Sequence, residues 1–110
     1  MAVNAALTAA DAALDELRAD ADFAYAQHGD VYADSLMHYH QRLSELLATA
    51  FSLVAAGRDV TMKKRDRAAH ELHASDIADH IVRDVAAVRA NFATVLSRGS
   101  VSKPGARGVV

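Results

Sequence analysis

Between Asp30 and Ala56 the chain reads DVYADSLMHYHQRLSELLATAFSLVAA, and its apolar residues return at steps of four and three. Tyr32, Leu36, Tyr39, Leu43, Leu46, Ala50 and Leu53 make one row. Leu36, His40, Leu43, Leu47, Ala50 and Val54 make a second beside it. Such spacing stacks side chains along one face of an α-helix. Two adjoining rows form a stripe wider than a two-stranded seam. This helix is therefore expected to be gripped on two sides, at the centre of a bundle. Leu36, Leu43, Leu46, Leu47, Leu53 and Val54 are its expected core seam.

The preceding segment carries a thinner stripe. Val3, Leu7, Ala10, Leu14, Leu17, Ala21 and Ala24 keep the same spacing and predict a helix from Asn4 or Thr8 to Gln27. Alanine at three of these seven positions lets helix axes approach closely but buries little area. Phe23 and Tyr25 flank the stripe and are expected to widen it. Thr8 with Asp11 reads as a loose capping box, with acids early in the helix where the macrodipole favours them. His28-Gly29-Asp30 is a boundary: Gly29 suits a left-handed helix end and Asp30 the next N-cap. So short a link predicts an antiparallel hairpin.

Gly57-Arg58-Asp59 repeats the device, with Gly57 closing the second helix and Asp59 or Thr61 capping a third. No glycine or proline follows until Gly99. Ile81, Val85, Val88, Phe92 and Val95 restore the helical spacing. The stretch MKKRDRAAHELHASD before them offers only Met62, Ala69 and Leu72 to bury. Ser75-Asp76 could cap a fresh helix, so the third segment, ending near Arg98, reads as one long helix or as two broken near Ser75. A long helix is expected to overhang the hairpin and leave 62–74 for a neighbour. The expectation is an all-α antiparallel bundle of three long helices over 1–98, followed by a basic tail, 99–110, disordered or docked.

Composition narrows this further. A chain of 110 residues is one domain with a modest core. It has no cysteine, hence no disulfide and no thiolate chemistry. No apolar run approaches the roughly 20 residues of a membrane span, and the N-terminal MAVNAALTAADAAL lacks the basic start and apolar core of a signal peptide. The expected place is the cytoplasm, or a particle assembled there, with no membrane partner. Arginine outnumbers lysine 9 to 3, as in GC-rich coding sequence. Residues 1–56 carry eight acids against two bases, and 57–110 carry ten bases against six acids. That polarity favours antiparallel packing within the chain or head-to-tail contact between chains.

Candidate chemistry is sparse. His70, His73 and His80 fall on one side of a helical wheel near Glu71 and Asp76, and are weak candidates for metal ligands. The spacing matches neither HExxH nor a repeated Glu-x-x-His pair, so no cofactor is expected. Arg58, Lys63, Lys64, Arg65 and Arg67 form a basic cluster at a helix start, where cations oppose the macrodipole. Something acidic should face them: the first helix, another subunit or a phosphate backbone. No nucleophile elbow, paired catalytic carboxylates or glycine-rich phosphate loop occurs, so neither an enzyme nor a small-molecule substrate is expected. The leading expectation is an assembly subunit contacting copies of itself or other subunits, as in a phage virion or connector. The alternatives are a nucleic-acid-associated accessory protein using Arg58–Arg67 and a histidine-based metal bundle.

Overall fold

A computed structural model describes residues 2–102, with side chains over 3–97. Three helices pack against one another: α1, Ala2–His28; α2, Asp30–Ala56; and α3, Lys64–Ser102. Short links make α2 antiparallel to both neighbours, so α1 and α3 run the same way.

The α1–α2 link is one residue. Gly29 has φ 67° and ψ −142°, and its amide donates to the Tyr25 carbonyl at 2.8 Å. Only glycine takes this φ without a Cβ penalty, so the hairpin depends on it. Gly29 is itself the residue preceding α2, with no side-chain cap. Asp30 is already helical and acts through its charge in the first turn rather than as the N-cap. In α1 the helix begins at Ala2, upstream of both expected starts, so Thr8 is internal and no acid lies in the first turn. An alanine-rich lead propagates the helix without needing a side-chain cap.

The α2–α3 link, 57–63, is a different device. Gly57 has an ordinary right-handed φ of −67°. It is buried, and a Cβ there would lie 3.3 Å from Cγ of Arg67. Close packing, not a left-handed turn, favours glycine here. Asp59 and Thr61 do not cap α3, which starts at Lys64. Instead, Asp59 Oδ1 accepts from the Thr61 amide at 2.9 Å and from the Thr61 hydroxyl at 2.7 Å, and Met62 N donates to Asp59 O at 3.0 Å. These bonds define a local Asx-type turn.

α3 is one unbroken helix through Ser75, and it continues past Arg98 to Ser102. Gly99 weakens a helix by about 1 kcal/mol without stopping it. The rest of the tail lies outside the described residues.

The core contains every position of the α1 stripe, with Ala13 added. From α2 it takes Ala33, Leu36, Leu43, Leu47, Ala50 and Val54, and from α3 Ala74, Ala78, Ile81 and Val85. Leu53 is half-buried, whereas Leu46 remains 37% exposed and Tyr39 is exposed. The parallel row Leu36, Leu43 and Ala50 stays buried throughout, so the row Tyr32, Tyr39, Leu46 and Leu53 marks the edge of the buried face rather than its centre. Phe23 and Tyr25 stay exposed, and so add no width to the core. In early α3 the small Ala74 and Ala78 are buried, while Ala69 is exposed and Leu72 is 64% exposed. A large side chain at either alanine would push the closely spaced helices apart. Because Arg67 already touches α2 and Ala74 is fully buried, the excess length of α3 lies after Phe92 and not over 62–74.

Candidate interaction surface

Where α2 begins and α3 leaves the bundle, an open groove of about 270 Å³ lies between them. Its walls are Tyr32, Leu36 and Tyr39 from α2 and Val88, Phe92 and Val95 from α3, with Ser35 and Asn91 at the rim. The helical steps that bury Leu36 and half-bury Val88 also bring Tyr39 and Val95 to the edge. The Tyr32 and Phe92 rings meet edge-on at 6.0 Å, and His28 meets Tyr32 the same way at 5.2 Å. Edge-to-face aromatic pairs give the groove a fixed wall. The site is thus apolar, partly formed and built on rigid elements.

The opposite end of the bundle is basic. Arg58, Lys63, Lys64 and Arg65 are exposed there, and none forms an ion pair among the described residues. Arg67 turns inward, and its Nε donates to the Gly57 carbonyl at 2.6 Å. It thereby meets an unsatisfied carbonyl at the negative end of α2, a favourable place for a cation. The sequence pattern sets these cations against the positive end of their own helix, and only the fold supplies α2's negative end beside it. Among the described residues no acid of α1 forms an ion pair with this cluster. Asp20 and Glu16 bind Arg89 instead: Arg89 Nε donates to Asp20 Oδ2 at 2.7 Å, and Arg89 Nη1 lies 3.4 Å from Glu16 Oε1. The bond to Asp20 is the main reason the Arg89 pKa is raised. The opposite charges of the two chain halves do pair, but at Arg89 and not at 58–67.

The histidines do not converge. His70 Nδ1 donates to the Asp66 carbonyl of its own helix at 2.8 Å, and His80 Nε2 lies 3.0 Å from Asp84. His73 is exposed. Among the described residues no three His, Asp or Glu side chains could hold a metal ion together. On α2, Ser44 Oγ lies 3.5 Å from His40 Nδ1, a long contact between residues one turn apart. With Asp34, Met37, His38 and Gln41 they line a depression on a single helix face. Helical backbone amides there are already hydrogen-bonded, so none is free to stabilise an oxyanion. No helix among the described residues is long and apolar enough to cross a membrane.

No family model matches the sequence, and no curated protein or solved structure matches it.

The groove was only half visible in the sequence. Tyr32, Tyr39, Val88, Phe92 and Val95 all stand in the predicted apolar rows, where they read as core. That Tyr39 and Val95 stop at the rim depends on the angle each helix presents to the other, which spacing alone does not encode.

Proposed function

We propose that this chain is a non-enzymatic assembly subunit that joins copies of itself, or other subunits of a larger particle, through helix–helix contacts. A phage virion or connector is the kind of particle the reading fits. The observation that carries it is the aromatic groove between α2 and α3, whose rim residues Tyr39 and Val95 are exposed. Scattered apolar residues on a surface need no explanation, but a contiguous apolar site on rigid elements does. The core supports the same reading: eight of the 18 buried hydrophobic residues are alanine, so it buries little area per helix contact.

The test is mass in solution against protein concentration and salt, by sedimentation. Self-association that rises with concentration is expected. A strict monomer throughout removes association between copies, and failure to enter any larger particle removes the rest.

A second reading rests on the exposed cations Arg58, Lys63, Lys64 and Arg65, a footprint that suits a phosphate backbone. It requires binding to duplex DNA or RNA that weakens steeply with salt and is lost when Lys63, Lys64 and Arg65 are neutralised. No binding at low ionic strength would eliminate it.

A further inference from the structure

We infer that the cavity between the α2–α3 link and the start of α1 is a seat for a phosphate group, held by Arg58 and Arg67. The inference rests on the phosphate-backbone reading above and deepens it, by naming the residues that grip a single phosphate. The cavity measures about 300 Å³, and Arg58, Arg67, Gly57 and Glu71 line it together with Val3 and Asn4. Arg67 is not a loose surface cation. Its Nε donates to the Gly57 carbonyl at 2.6 Å, and a Cβ on Gly57 would lie 3.3 Å from its Cγ. With Nε so fixed, the Nη1–Nη2 edge of the guanidinium is left for a two-point contact with an oxyanion. Neither arginine forms an ion pair among the described residues, although Glu71 stands one turn from Arg67.

The backbone around the cavity favours the same ligand charge. Val3 and Asn4 stand in the first turn of α1, where amides have no acceptor within the helix and the macrodipole is positive. The end of α2 also reaches this place, and bare carbonyls there would repel an anion. Those of Leu53, Ala55 and Gly57 are engaged: the first two accept from the Gly57 and Arg58 amides at 3.1 Å, and the third from Arg67. Among the described lining residues Glu71 is the one acid, so two cations outweigh it. Lys63, Lys64 and Arg65 do not line the cavity. Exposed at the same end, they raise the local concentration of anions without fixing one. An arginine pair placed by the fold suits the oxygens of a phosphate, whether a phosphomonoester or one unit of a nucleic-acid backbone.

The test is a titration of the full chain with inorganic phosphate, against chloride at equal ionic strength, followed by NMR. The Asn4 and Gly57 amides and the Arg67 Nε–H are expected to shift and to saturate. Arg58→Gln and Arg67→Gln should each weaken binding by about tenfold, the scale of losing a charge-assisted contact. Thermal melting checks that each variant folds, and Arg58 is altered at an exposed position. Glu71→Gln should tighten binding. Gly57→Ala changes no charge, and a φ of −67° admits alanine, but the added Cβ pushes on Arg67 and should weaken binding. The absence of any saturable shift with phosphate overturns the inference. So does binding that ignores Arg58→Gln and Arg67→Gln but is lost when Lys63, Lys64 and Arg65 are neutralised; the diffuse patch then carries the nucleic-acid reading alone. A short DNA duplex identifies the source of the phosphate. Duplex binding weakened by Arg67→Gln puts a backbone phosphate in the seat. Phosphate binding without duplex binding assigns the seat to a phosphomonoester and removes the nucleic-acid reading.

Discussion

At the residue scale, stability rests on a few side chains with identifiable partners. Ile81 is fully buried between helices. Ile81→Ala is expected to cost about 2–5 kcal/mol, read as a lower urea midpoint at unchanged slope. The Arg89 bridge is worth much less, because its side chain stays 41% exposed. Arg89→Ala should cost no more than about 1 kcal/mol, shrinking further in high salt. A larger loss would mean that the aliphatic stem of Arg89, and not its charge, holds α1 to α3. Asp59 titrates with the turn it organises. The Thr61 amide, and then the Thr61 hydroxyl, hold its pKa below the usual carboxylate value. The folded chain therefore gives up this proton more readily than the unfolded chain. The turn is fully supported above the unfolded value and loses that support as pH falls through the depressed folded one. An acid titration followed by NMR should show the Thr61 amide resonance moving together with the Asp59 carboxyl. An amide that ignores the carboxyl would contradict the hydrogen bond.

At the element scale, Gly29 and Ser75 divide what local sequence settles from what it does not. Gly29→Ala meets no atom within 4 Å, so its cost is purely one of backbone conformation. It should lower stability by about 1–2 kcal/mol through the positive φ. Gly29→Asn should cost no less, since asparagine's tolerance of positive φ is for the left-handed helical region and Gly29 has ψ −142°. Ser75-Asp76 resembles a helix start, yet α3 runs through it. Ser75 lies between Ala74, which is fully buried, and the half-buried Ile77. Packing of those neighbours against α1 and α2 overrides a local capping preference. Ser75→Pro should therefore cost about 3 kcal/mol or more, because it removes an interior helical bond. Two separate helices meeting at Ser75 would tolerate proline there as a first-turn residue, with little loss.

At the scale of the whole molecule, the charge asymmetry of the sequence becomes an asymmetry of place. The cations of 58–65 gather at one end, while Asp30 and Asp34 lie toward the other, on a side of α2 that does not line the groove. Association through these ends should weaken between low and physiological salt, since exposed charges are screened over about 8–10 Å. Sedimentation at several salt concentrations reads this directly. An association that strengthens with salt would point to apolar contact alone, along the groove and the exposed Leu46 edge.

The sequence by itself determined the all-α class, the helix boundaries near Gly29 and Gly57, and the buried row of α1, but left open whether the third segment is one helix or two. These follow from period and from backbone freedom, which are local properties. It placed Leu36, Leu43, Leu47 and Val54 correctly in the core but could not separate them from Leu46 and Tyr39. All six share helical spacing, and only the rotation of α2 against two neighbours decides which turn outward. The partner of Arg67 was likewise out of reach, because Gly57 belongs to a different helix end brought near by the fold. Tertiary structure decided the groove and the pairing of Arg89 with Asp20. Each depends on groups far apart in the chain, whose meeting is set by how three cylinders share one small core.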